Sequence, residues 1–160
     1  MAVNIVVGVS DARATADPAD VLVTYSLGSC IGVTAYDPVV AAGGLLHFQL
    51  PTSTLDLQRA KDNPLMFADT GLAHLLIWLQ QLGADKRRLE INLAGAAQML
   101  GDNNLFNIGR RNHAAIRKVL WQHGLLIQHE DVGGNSPRNM YLNLVDGVVQ
   151  IKTSGNTVSL

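Results

Sequence analysis

Residues 21–38 read VLVTYSLGSCIGVTAYDP and residues 43–51 read GGLLHFQLP. VLVTYS is β-branched and aromatic, the composition of a strand, and it ends near Gly28. In IGVTAYDP, Ile31, Val33 and Ala35 alternate with Gly32, Thr34 and Tyr36 until Asp37-Pro38 signals a turn. GGLLHFQLP makes another short strand, closed by Pro51. These strands form one β-rich unit that holds the only cysteine, Cys30, and His47, each expected at or near a strand start.

Outward from this unit, NIVVGV (residues 4–9) is expected to be a strand and SDARATADPAD (10–20) a polar, proline-containing loop. Asn63 and Pro64 have the form of a helix start, a side-chain cap followed by a first-turn proline. From there Phe67, Leu72, Leu75, Leu76, Leu79 and Leu82 recur at helical spacing, with Gly83 as the stop. RLEINLAG (88–95) alternates as a strand, and a second helix is expected from about Ile108 to His123, ended by Gly124. LIQHED follows, and MYLNLVDGVVQIK (140–152) reads as a hairpin around Asp146-Gly147. This order predicts a mixed α/β (α+β) fold, a layered sandwich of mixed sheets flanked by two main helices, as one domain over residues 1–160.

With 48% apolar and 16% charged residues, the chain has the composition of a folded protein rather than a disordered one. A net charge of −1, with short basic clusters only at Lys86-Arg87-Arg88 and Arg110-Arg111, offers no footprint for nucleic acid or an anionic membrane. The uncharged run TGLAHLLIWLQQLGA falls short of the roughly 20 apolar residues of a membrane span. The N-terminus lacks the basic region of a signal peptide, and one cysteine excludes an internal disulfide, so a cytoplasmic location is expected.

Two readings of Cys30 compete. A free cysteine is commonly a small buried hydrophobe. Here, however, Gly28, Ser29 and Gly32 surround it with small residues, and the backbone N–H groups of Gly28 and Ser29 could hold an oxyanion. Gly-Ser-Cys-Ile-Gly has the spacing of a nucleophile elbow, but that motif requires a following helix, and the residues after Gly32 are strand-like. His47 on an apolar strand reads either as a satisfied core residue or as a base. Within hydrogen-bond reach of Cys30 it would activate the thiol, which is then expected to be partly ionised. Thr24 reads as a strand residue or as the group that fixes the imidazole. Gly133, Gly134 and Arg138 in DVGGNSPRN form a tight turn or one side of a substrate groove. The histidines show no metal-ligand spacing, and GDNN and DVGGN are turn chemistry.

Taken together, LGSCIGVTAYDP, GGLLHFQLP, FADTGLAHLLIWLQQLGA, INLAGAAQML, NIGRRNHAAIRKVLWQHGL and DVGGNSPR resemble, in that order, the motifs of the chemoreceptor glutamine deamidase family CheD. The likeness runs from about Ile5 to Lys152. It implies a fold similar to the catalytic domain of the cytotoxic necrotizing factor toxins. It also implies an activity converting glutamine side chains of methyl-accepting chemotaxis receptors to glutamate, without a cofactor or metal. By position, the family's nucleophile falls on Cys30, its histidine on His47 and its threonine on Thr24. Some members also demethylate receptor glutamyl esters, and several bind the phosphatase CheC. Departures are Ala94 where the family often has glycine, Ser136-Pro137 before Arg138, and Gln49 where an apolar residue is common. The altered GGNSPR loop leaves open a second expectation, a docking module with little or no turnover.

Overall fold

The computed structural model describes residues 3–99 and 107–160. Two five-stranded sheets carry it. The first joins β1 (Val3–Val6), β3 (Asp20–Leu27), β8 (Arg138–Asn143), β9 (Val149–Thr153) and β10 (Asn156–Ser159), in that order. The second runs β2 (Asp11–Thr15), β5 (Ala42–Phe48), β4 (Ile31–Asp37), β6 (Glu90–Gly95) and β7 (Ile127–Val132). Both are mixed: β1 is parallel to β3 and β6 to β7, while the other pairs are antiparallel. The expected layered sandwich is what forms.

The second sheet is the middle layer, so both of its faces are buried. Every residue of β4 and β5 is buried. Alternation along the strands sorts side chains between two cores. Ile31, Val33, Leu46, Phe48 and Leu93 face helices α2 (Ala68–Gln81) and α3 (Ile108–Gln122). Tyr36, Leu45 and Ala94 face the first sheet and pack with Leu22, Leu27, Met140 and Leu142. Helix α2 lies close on β5: a Cβ on Gly44 would come within 2.6 Å of Leu75 Cδ1, and one on Gly71 within 3.1 Å of Leu46.

Three local expectations are corrected. Residues 11–15 are not loop but β2, an edge strand paired with β5, with Ala12 turned inward and polar residues outward. Charged side chains suit an edge because they discourage further pairing. Residues 64–66 form only a 3-10 turn, capped by Asn63, and the helix proper begins at Ala68. Buried Phe67 is held extended because Met66 O accepts from Gln49 N and Leu50 N, while Ala68 N donates to Leu50 O. A short helix α1 (Leu57–Asp62) precedes it. Finally, His47 lies near the end of its strand, not its start. The sequence GDNN falls outside the described residues.

The basic cluster at 86–88 is engaged internally. The Asp37 carboxylate, fully buried at the end of β4, accepts from Arg88 Nε at 3.0 Å to both oxygens and from the N–H groups of Val39 and Asp85. Burial alone would raise its pKa, but these donors outweigh it and hold the carboxyl below the usual range. Breaking such a pair by Arg88→Met leaves a buried charge without a counter-ion. We expect a loss of about 3 kcal/mol at pH 7 by urea unfolding, the low end for buried pairs because Arg88 is part-exposed. The difference from wild type should shrink as pH falls and Asp37 protonates in the variant, whose carboxyl has lost the Arg88 guanidinium and keeps only the Val39 and Asp85 N–H groups.

Candidate active site

The site begins at a bulge. In the β3–β8 pairing Thr24 opposes Met140 and Leu27 opposes Arg138, so Tyr25 and Ser26 together face Asn139. Ser26 takes φ 58° and donates its N–H to Asn139 Oδ1 at 2.9 Å. Such a bulge bends the strand and re-aims its side chains. Here the adjacent Thr24 points into the layer between the sheets, with no exposed surface.

Beyond Leu27, Gly28–Cys30 carry the chain from the first sheet to the second, and all three carbonyls of this turn are engaged. Ala97 N donates to Gly28 O at 2.8 Å, Asn112 Nδ2 to Ser29 O at 2.9 Å, and Ala96 N to Cys30 O at 2.9 Å. Among the described residues the N–H groups of 28–30 donate to no backbone carbonyl. The approach of residues 95–97 demands glycine at 95, where φ is +118° and a Cβ would sit 2.2 Å from Cys30 O. Ala96 is also left-handed, at φ 53°.

His47 comes from β5, opposite Gly32 on β4, so Cys30 precedes by two residues the position facing the histidine. Its Nδ1 lies 2.6 Å from Thr24 Oγ1, and that oxygen lies 2.7 Å from Val7 O. A carbonyl only accepts, so the threonine hydrogen goes to Val7. Nδ1 must then carry its own hydrogen and donate it to Thr24 Oγ1. The imidazole is thereby fixed with a lone pair on Nε2, which is buried and has no partner among the described residues. Burial lowers the His47 pKa to about 4.

Cys30 is part-buried against the inter-sheet core. Burial pushes its thiol above the ordinary value, only partly offset by its own backbone N–H. The expectation of a partly ionised thiol is therefore corrected: burial dominates at Cys30, and no positive charge among the described residues offsets it. Gly133 and Gly134 take φ 87° and 70° in the turn after β7. Arg138 is 6% exposed, and its guanidinium is directed at this turn rather than at open solvent. It donates to the carbonyls of Gly95, Asp131, Gly133 and Ser136. Gly133 N also donates to Gly95 O, which ties the glycine turn to the segment that braces Cys30. Asn112, buried on the apolar face of α3, was not singled out by motif; an asparagine in line with Ile116, Val119 and Leu120 was its only sequence signal. Among the described residues no three His, Cys, Asp or Glu side chains cluster to hold a metal ion.

A family model described as "CheD chemotactic sensory transduction" matches residues 49–153. The chain belongs to the CheD family. A "Probable chemoreceptor glutamine deamidase CheD" of Solibacter usitatus is 45% identical over 157 residues, covering 98% of this chain and 93% of that protein. A "Probable chemoreceptor glutamine deamidase CheD 1" of Syntrophus aciditrophicus is 45% identical over 152 residues, covering 95% of each. The corresponding Clostridium tetani protein is 40% identical over 152 residues, 93% of this chain and 90% of that one. The family-model match starts two residues after His47, whereas the whole-chain likeness to the CheD protein of Solibacter spans Thr24, Cys30 and His47.

The buried, neutral histidine makes a stability prediction. Its folded pKa lies below the unfolded value of 6.5, so between pH 6.5 and about 4 the unfolded chain binds a proton the folded one does not. Stability should therefore fall on acidification across that window, by up to roughly 3 kcal/mol from this residue. Urea unfolding of wild type and His47→Gln at pH 7 and pH 4.5 should show a smaller acid loss in the variant.

Proposed function

We propose that this protein is a glutamine deamidase acting on methyl-accepting chemoreceptors, with Cys30 as nucleophile, His47 as proton carrier and Thr24 as the group that fixes the imidazole. The observation that carries the reading is the His47 tautomer. Thr24 and Val7 hold the proton on Nδ1, and the unpaired Nε2 lies in the layer against which Cys30 packs. The activity named for the relatives supplies the substrate.

In the proposed reaction, Cys30 Sγ attacks the amide carbon of a glutamine side chain while the thiol proton passes to His47 Nε2. The carbonyl oxygen becomes an oxyanion, held by the N–H groups of Gly28 and Ser29, which donate to no backbone carbonyl among the described residues. His47 returns the proton to the amide nitrogen, the C–N bond breaks, and ammonia leaves a thioester on Cys30. Water then attacks the thioester, giving one proton to Nε2, and the collapsing intermediate expels the sulfur. That proton returns to Cys30, leaving glutamate on the receptor. Since thiol and imidazole both start neutral, the proton moves during the attack rather than before it. Gly133, Gly134 and Arg138 shape the cleft by holding the turn beside it. No residue in this scheme needs a cofactor. The same acyl chemistry extends to receptor glutamyl esters, and a CheC-type phosphatase is the proposed regulatory partner in the cytoplasm. No helix among the described residues is long and apolar enough to cross a membrane.

Mass spectrometry of a receptor cytoplasmic fragment should show a gain of about one dalton at defined glutamines, the mass change of amide-to-acid conversion, with wild type and not with Cys30→Ala. Tight binding without any mass gain would make the chain a docking module instead. The pH profile of kcat/KM should be flat from neutral pH down to about 5 and fall near the His47 pKa of about 4. An acid limb near 6.5 would instead indicate an exposed histidine. Alkylation of the free protein by iodoacetamide at pH 7 should be slow, because the thiol is protonated there.

A further inference from the structure

We propose that Asn112 is the positioning residue that sets the nucleophile turn against the histidine strand. This inference rests on the deamidase reading above and names a group in its machinery that touches neither substrate nor reacting atoms. The Asn112 side chain has no exposed surface. Its Nδ2 donates at 2.9 Å to Ser29 O, immediately before Cys30, and at 3.0 Å to Gln49 O, two residues after His47. One amide group on α3 thus holds both strand ends. The orientation of the amide is fixed, because the flipped form would set its oxygen against two carbonyls.

Stability alone gives this arrangement little reason to exist. Asn112 lies in the apolar stripe of α3 with Gly109, Ile116, Val119 and Leu120, where an aliphatic side chain would pack against the same core. It also leaves its own Oδ1 buried without a partner among the described residues, which is unfavourable. The benefit of the amide is geometric: its two hydrogens reach one carbonyl at each end. The other braces of the turn, Ala96 N and Ala97 N, come from the segment after β6 and donate to Cys30 and Gly28 rather than to the His47 strand. Removing the amide therefore frees Cys30 to move relative to His47 while leaving the Thr24–His47 bond in place.

The test compares wild type with Asn112→Leu, which keeps the branched outline with bulkier methyl ends and donates nothing, and Asn112→Ser, whose single hydroxyl can serve one carbonyl. Three quantities are read: kcat and KM for receptor-fragment deamidation, the alkylation rate of Cys30 by chloroacetamide, and the melting temperature. We expect kcat to fall about a hundredfold in Asn112→Leu with KM little changed, the size of effect that misplacement of a reacting group by about 1 Å produces. The serine variant should fall between, and alkylation should quicken in the same order, because a loosened turn exposes a thiol that the braced turn keeps buried and protonated. A lowered melting temperature with wild-type kcat and alkylation in the folded protein would overturn the proposal and leave Asn112 a packing residue. If wild type converts no receptor glutamine, the deamidase reading fails separately. The alkylation order of the three proteins still decides whether Asn112 positions Cys30.

Discussion

A hydrogen bond between the two sheets, from His47 Nδ1 to Thr24 Oγ1 at 2.6 Å, is the constraint on which the rest of this molecule depends. It crosses a layer otherwise filled by Leu22, Leu27, Leu45, Met140 and Leu142. A bond of that length requires the sheets to lie close, and small residues permit it. A Cβ on Gly32 would sit 2.8 Å from Met140 Sδ, and one on Gly43 3.0 Å from both Leu142 and Leu144. The bond also fixes register. Slipping β5 by one residue would turn His47 into the helix-side core, away from Thr24, and leave buried polar groups unpaired at about 1–3 kcal/mol each.

That interaction explains which parts of the fold can be read from the chain. The strands at 20–27, 31–37 and 42–48 are legible from β-branched, aromatic and apolar residues, from the alternation over 31–36 and from the turn signals that bound them. What alternation does not reveal is that β3 and β4 belong to different sheets, since Gly28–Cys30 could equally be a hairpin turn. The crossing depends on the bulge at Ser26 and on carbonyl contacts to residues 96, 97 and 112, far away in sequence. Strand β2 escapes notice for a different reason. Asp-Ala-Arg-Ala-Thr offers only alanines to the core, so its pairing with β5 is set by tertiary context rather than composition. Helix α2 begins later than Asn63-Pro64 suggests because Phe67 is drawn into pairing with Leu50.

The candidate site divides in the same way. Cys30, His47 and Thr24 are legible as residue types in a motif, whereas their electrostatics are not. A thiol and an imidazole on one motif suggest an ion pair, yet burial acts on both groups and opposes both charges. Arg138 reads as a cation beside a groove but spends its terminal N–H groups on backbone carbonyls, those of Gly95 and Asp131 at the ends of β6 and β7 and those of Gly133 and Ser136 in the turn, because a buried guanidinium is costly without partners. Asn112 is hidden by its setting on a helix face that otherwise reads as plain core.

A histidine held by a hydroxyl rather than a carboxylate has a chemical consequence for the proposed reaction. A carboxylate partner would favour the imidazolium and draw the cysteine proton before substrate arrives. Threonine orients the ring without favouring its charge, and burial keeps the pKa at about 4. The resting pair is therefore neutral, and charge develops only when an amide carbonyl is in place to receive the sulfur. The transition state then gathers stabilisation that the free protein does not use, from Thr24 on the imidazolium side and from the turn's N–H groups on the oxyanion side. Under the proposed reaction such a site would be poorly reactive toward small electrophiles and oxidants in solution, and its selectivity would rest on a protein substrate that fills the cleft. The rigid bracing of Cys30 by Gly95, Ala96, Ala97 and Asn112 fits that demand, since a nucleophile that is not pre-ionised has only its placement to rely on.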